Sequence, residues 1–501
     1  MGLLICLFCY LLSATPVSIT DYVTGLPFSG REELFGISPM AADTGFLFSM
    51  SGSYDLLYRE REEHSDMLPG NRTSVDKFSG WVWTGINRDH AGILFGAAFG
   101  RLWMRRSEPD DGVSEAALLS NGAVGAVGWL KRGICTMRAG FDGNPRYGPL
   151  VSGATSGLKK GFRLLNSPAI NLTGSLYFAF PHSGAEFAYR NRSLLSGDGI
   201  LRNSSNGAYR KCVLLIDEHR WSGTVNRISE GSFWSVTPSI FQLTSNSPKE
   251  QPEVFPLEIS GVGYSLAGSG NFNRLPKQPG FTVDMERGSL LLNGYDGQAR
   301  RFLKVDESHW RRFSGAVGLQ TGIRSEAGIF GSYRSGRAGK GNVALYPFSN
   351  WLFLLDLPDR VRLDEAEIEI REAGIRGVKK WNVHRNLRLR TEVALSGCVV
   401  EGSVATANLV RYIGLLPVYE DARKETVDER YAVIRGKLQL EKEVRGHDFH
   451  ISVQQIVPVR LTGSAPVTAG DQHSGGDLQV RQWRYGGLKV ECGIDIGNQG
   501  R

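Results

Sequence analysis

Along much of this chain apolar and polar residues alternate one by one. From Gly45 the sequence reads GFLFSMSGSYDLLY, with Phe46, Phe48, Met50, Tyr54, Leu56 and Tyr58 on one parity and Ser49, Ser51, Ser53 and Asp55 between them. A period of two marks a strand with one apolar and one polar face. Held over about thirteen residues, it extends about 40 Å, and tilted by about 45° it covers about 28 Å of height, close to a bilayer's hydrocarbon core. Ordinary globular strands of about five or six residues stop well short of that. Lys77–Ile86 and Ala91–Met104 repeat the pattern on either side of a tight turn at Asn87–His90.

The same alternation predicts strands over Leu118–Leu130, Gly133–Phe141, Pro168–Phe180, Ala185–Arg192, Tyr209–Asp217, Phe233–Thr244, Leu257–Leu266 and Phe281–Leu292. It continues through Phe313–Arg324, Gly328–Arg334, Val343–Leu355, Val361–Glu372, Asn386–Cys398, Thr406–Ile413, Ala432–Glu443, Phe449–Leu461 and Arg484–Gly497. Pro238 lies inside one of these and removes a ladder hydrogen bond there. The stretch 145–165 has no clear pattern. Connections are more telling than boundaries. Long polar loops (Arg59–Asp76, Arg105–Glu115, Thr462–Val480) alternate with tight turns (Asn87–His90, Lys131–Arg132, Val444–Asp448). Read from either end, the phase puts both termini on the short-turn side, which requires an even strand number. The expectation is an all-β fold, an antiparallel transmembrane β-barrel of about 16–18 strands.

Composition narrows the alternatives. The chain has 501 residues and 62 glycines, its mean hydropathy is −0.20, and no apolar run reaches the eighteen residues or so that a membrane helix needs. A barrel keeps such a mild average because half of each strand faces a wet lumen. The net charge of +7 is spread along the chain with acids beside bases, which argues against a nucleic-acid surface. Residues 1–18 carry an apolar run followed by small residues and read as a signal peptide for export. Residues 19–44 then form an irregular periplasmic segment, 45–497 the barrel and 498–501 a short tail. Cys135 and Cys492 share parity with apolar neighbours and are expected to face lipid as small hydrophobes. Nothing has the spacing of a disulfide framework or a zinc site, and no catalytic motif or cofactor signature is present.

These features together resemble bacterial outer-membrane β-barrel proteins, a resemblance that covers nearly all of Gly45–Gly497. The closing stretch Leu488–Ile496 alternates as the final strand of that class does, although Asn498-Gln499-Gly500-Arg501 replaces the usual terminal aromatic residue. The resemblance implies outer-membrane lipid and the outer-membrane assembly machinery as partners, with no enzymatic activity, no cofactor and no nucleic acid. It implies a passive channel or transporter for small solutes. The alternatives are a filled structural or secretion-associated barrel and a soluble secreted all-β carbohydrate-binding protein.

Charged alternations supply the candidate site. Glu365, Glu367, Glu369 and Arg371 alternate with Ala366, Ile368 and Ile370; Arg388, Arg390 and Glu392 alternate with Leu387, Leu389, Thr391 and Val393; Lys489, Glu491 and Asp495 punctuate the last strand. A charge facing lipid at mid-membrane costs about 2–4 kcal/mol, so all ten are expected to line the lumen. There they form either a charged constriction that screens solutes or a salt-bridge ladder that fills the interior. Tyr54, Tyr58, Trp81, Trp83, Trp103 and Trp129 are expected to form aromatic girdles at the membrane edges. His447 and His450 read as part of a solvated turn.

Overall fold

Strands with one apolar face must bury or cover it, and here they do so by closing on one another. The computed structural model describes residues 45–62, 72–107, 114–144, 149–154, 162–166, 169–202, 209–229, 232–245, 257–272, 277–296, 301–322, 324–338, 343–345, 360–384, 386–413, 416–444, 447–463 and 482–496. The signal peptide, the segment 19–44 and the tail lie outside the described residues. The first strands are β1 (Gly45–Glu62), β2 (Arg72–Asn87), β3 (Ala91–Ser107), β4 (Ser114–Arg132), β5 (Cys135–Asn144), β6 (Pro149–Ala154), β7 (Phe162–Asn166), β8 (Ala169–Ala179), β9 (Ser183–Arg202) and β10 (Tyr209–Ser229). They are followed by β11 (Ser232–Ser245), β12 (Leu257–Phe272), β13 (Gly280–Asp296), β14 (Arg301–Gly322), β15 (Ser325–Ala338) and β16 (Val343–Leu345). The last are β17 (Arg360–His384), β18 (Leu387–Ile413), β19 (Leu416–Val444), β20 (His447–Gly463) and β21 (Gln482–Ile496).

Every pairing is antiparallel, and β1 pairs with β21 from Phe48↔Ile496 to Glu62↔Gln482, so the sheet has no first or last strand. Three staves are broken. β5 and β6 both pair with β4, β7 and β8 both with β9, and β15 and β16 both with β17. The 21 strands therefore make a closed barrel of 18 staves, an even number as the loop phase required. Two of the short pieces, β6 and β7, occupy the stretch 145–165 in which the sequence showed no pattern.

Outside, the wall is apolar. Phe46, Met50 and Tyr54 of β1 are exposed, as are Phe78, Val82 and Ile86 of β2, and the series continues around to Leu488 of β21. An exposed apolar belt of this extent is what a bilayer covers and water does not, which excludes the soluble reading. Inward positions on the same strands are polar or tightly packed, among them Ser49, Asp142, Asn171, Ser175 and Ser239. Cys492 is exposed on the outer parity, as expected, whereas Cys398 points inward and is buried.

Two local features explain themselves. At Pro238 the rung to β10 is missing between Ser222↔Ser239 and Val225↔Val236, because proline has no N–H to give. The Thr224 and Thr237 hydroxyls, 2.9 Å apart, bridge that gap. The second is an apolar patch on the inner wall of β1–β4, where Leu47, Leu94, Val127 and Trp129 pack with Trp83. A side chain at Gly92 would come within 2.2 Å of the Trp129 ring, so glycine is what lets the indole lie flat. The girdle expectation is thereby corrected: Trp81, Trp83 and Trp129 share the inward parity, and only Tyr54 of the described side chains stands outside. Trp129 is turned inward by its Nε1–H, which donates to Asn87 Oδ1 at 3.2 Å. The side chains of Tyr58 and Trp103 lie outside the described residues.

Candidate functional site in the lumen wall

The inner faces of β18 to β21 and β1 carry a continuous polar surface, built by register. Arg388 lies opposite Glu441, which faces His450; His450 faces Gly493, and Gly493 faces Ser51. One rung further, Arg390, Gln439, Ser452, Glu491 and Ser53 follow one another. The third rung is Glu392, Lys437, Gln454 and Lys489. Side chains two residues apart on a strand share a face, so polar groups of opposite role also meet along each strand. Arg390 lies 3.6 Å from Glu392 and Lys489 3.6 Å from Glu491, while Gln439 donates to Glu441 at 2.8 Å.

Against this wall lies a cavity of about 220 Å³, whose lining includes Arg388, Lys437, Gln439, Glu441, His450 and Glu491. A Cβ at Gly493 would stand 2.4 Å from the His450 ring. Glycine there lets the imidazole lie against the strand, so the cavity stays free in front of it. Donors and acceptors of both charges line one small space, a surface suited to small polar or zwitterionic solutes.

The placement of the predicted residues divides sharply. Arg388, Arg390, Glu392, Lys489 and Glu491 converge on this inner wall. Asp495 is in register with Ser49 on the inward parity, but its side chain lies outside the described residues. Glu367, Glu369 and Arg371 go elsewhere. They share parity with Ile375, 60% exposed, whose register partners Ile329 and Leu395 are also exposed apolar residues. They therefore stand on the outer face rather than in the lumen. There Arg371 pairs with Glu369 at 2.5 Å and with Glu401 at 3.5 Å. The Glu365 side chain lies outside the described residues. Between them, Ile368 and Ile370 turn inward to a cluster of Cys398, Val400, Tyr431 and Val433.

The physical reason is height. β17, β18 and β19 have 25, 27 and 29 residues, against the 9–11 or so that cross a bilayer. Their far halves run beyond the lipid, where the outer face meets water and accepts charge. Two further ion clusters lie on the inner wall. Arg435 pairs with Glu372, which also accepts from Ser396 at 2.5 Å. On the opposite wall Arg220 sits 2.9 Å from Glu218 and over the Phe241 ring.

Lys437, Gln439, Glu441 and His450 were not singled out from the sequence. Arg435, Lys437, Gln439, Glu441 and Glu443 alternate along β19, and His450 lies within β20 rather than in the turn before it.

The fold defines the class: a closed, antiparallel, transmembrane β-barrel of 18 staves. No protein-family model matches the sequence, and no curated protein matches it. Among solved structures it is similar to OccK7 (OpdD) of Pseudomonas aeruginosa, with 9% identity and a TM-score of 0.38 over 91% of this chain and 100% of that one. It is also similar to OccAB1 of Acinetobacter baumannii, with 10% identity and a TM-score of 0.34 over 91% and 98%. A mutant of TodX, a monoaromatic hydrocarbon channel, matches at 8% identity and a TM-score of 0.32 over 91% and 92%. At such scores the likeness carries no argument, and the barrel rests on its own strand pairing.

Proposed function

We propose that this protein is a passive outer-membrane channel for small polar solutes, exported by its N-terminal signal and inserted with the long loops outside the cell. The observation that carries it is the lumenal wall of β18–β1, where Arg388, Lys437, His450, Glu441 and Glu491 surround a polar cavity behind an apolar belt. A barrel that served only as an anchor has no need of such a surface. Solutes would diffuse past a wall that offers hydrogen bonds and charges of both signs, with Arg390 held by Glu392, Lys489 by Glu491 and Glu441 by Gln439 along their own strands. No catalytic step or cofactor enters this reading.

The test is single-channel conductance of the purified barrel in a planar bilayer. Discrete conductance steps are expected, with an ion selectivity that changes when Arg388 and Lys437 are both replaced by glutamine. Absence of conductance from correctly folded protein would leave the second reading, a filled structural barrel. The interior packing of Leu47, Trp83, Leu94 and Trp129 is the observation in favour of that one.

A further inference from the structure

On the outer face, two arginines stand directly opposite each other. Arg287 of β13 and Arg311 of β14 are register partners, and both side chains are exposed. Like charges in directly opposed positions of a sheet are destabilising, so this juxtaposition calls for something that compensates it. The neighbours do not. Across the flanking strands Arg287 faces Tyr264 and Arg311 faces Ser335; along their own strands the same face carries Met285, Ser289, His309 and Phe313. None is acidic. The nearest acid on that face of β14, Glu307, pairs with His309 at 3.6 Å. Among the described residues neither guanidinium has an ion pair.

Their height is as telling as their spacing. Below them, toward the tight turn after Gly322, the outer face of β14 is Phe313, Val317 and Leu319, all exposed and apolar. Arg311 lies eleven residues from Gly322, and about eleven residues of a strand tilted at about 45° rise about 25 Å, the height of the apolar band. The pair therefore sits where hydrocarbon gives way to headgroups, on the long-loop side. Tyr264 beside it is the kind of amphipathic ring favoured at that depth.

We propose that Arg287 and Arg311 bind the phosphate group of an anionic lipid headgroup in the leaflet on the long-loop side. Two adjacent planar guanidinium forks match a phosphate bidentately. The apolar surface of Met285, Phe313 and Val317 receives the acyl chain beneath it. The inference rests on the barrel spanning a bilayer, and because both residues face outward it is independent of solute passage.

The experiment uses the full-length barrel in phosphatidylcholine bilayers, with spin-labelled phosphatidylglycerol or spin-labelled phosphatidylcholine as the probe. Electron spin resonance reads the motionally restricted fraction at the protein surface. At about 1 kcal/mol per arginine, the native barrel is expected to hold the phosphatidylglycerol label about tenfold or more over phosphatidylcholine at one site. R287Q/R311Q should reduce that preference below about twofold. E369Q/R371Q, altered at an already paired arginine, should leave it unchanged, whereas R287K/R311K, which keeps both charges and loses both planar forks, should retain only part of it. Equal preference in native protein and R287Q/R311Q overturns the proposal. Displacement of the label by inorganic phosphate overturns the assignment to lipid. Should R287Q/R311Q fail to fold, the native barrel still decides: no preference for the anionic label sinks the idea. Unchanged conductance in R287Q/R311Q separates this result from any failure of the channel reading.

Discussion

The wall formed by β17, β18 and β19 reverses its polarity part-way along its length. Near the tight turns, its outer face shows Ile375, Leu395, Ile434 and Leu438, all exposed, while Arg388, Arg390, Lys437 and Glu441 turn inward. Further out the same strands show Arg371, Glu369, Glu401, Asp428 and Arg430 outside, and bury Ile370, Cys398, Val400, Tyr431 and Val433 inside. Backbone period and register continue through the change. What differs is the solvent on the outer side, hydrocarbon in one region and water in the other. An alternating strand therefore states that its two faces differ. It does not state which face is which.

The join between the two regions lies at Glu372 and Arg435, a buried inward pair shared with Ser396. E372A leaves Arg435 buried without its partner, and breaking a buried pair in this way costs about 3–5 kcal/mol. Urea titration of the barrel folded in lipid vesicles measures it. A loss below about 1 kcal/mol would mean that water reaches the pair and that the inner wall is open there.

The next test places charge on the apolar side of the comparison. I375R sets a cation on the lipid-facing surface and is expected to cost about 2–4 kcal/mol in the same titration. R371A, four residues along on the same parity, removes an exposed ion pair and should change stability by less than about 1 kcal/mol. If the two cost the same, the boundary between lipid and water has been drawn in the wrong place.

Much of the fold was legible because bilayer height imposes strand length, and the lumen imposes alternation. Ser49, Ser51 and Ser53 opposite Phe46, Met50 and Tyr54 already contain both statements, and β1 pairs as they require. The loop phase required an even strand count, and the pairing of β1 with β21 closes the sheet. Two things were not legible. Trp129 lies against the inner wall where Gly92 leaves its ring room and Asn87 takes its N–H, and Trp83 packs in the same patch, relations that only appear once strands are in register. Glu367, Glu369 and Arg371 were placed in the lumen because their alternation was read as though the whole strand lay in lipid. β17 outruns the bilayer, and nothing in the alternation marks where it leaves. Arg388, Arg390, Glu392, Lys489 and Glu491 turn inward as their alternation suggests because they lie near the tight turns, within the membrane-spanning portion. Glu441 and His450 completed it only through register.

The central claim is that the two sets of charges stand on opposite sides of the wall, Arg388 in the path of solutes and Arg371 outside it. In a background without other cysteines, R388C and R371C barrels can be exposed in planar bilayers to a charged methanethiosulfonate reagent while single-channel current is recorded. Modification of R388C should change the unitary conductance stepwise, and modification of R371C, confirmed by mass, should leave it unchanged. A conductance that responds to R371C and not to R388C would contradict the account.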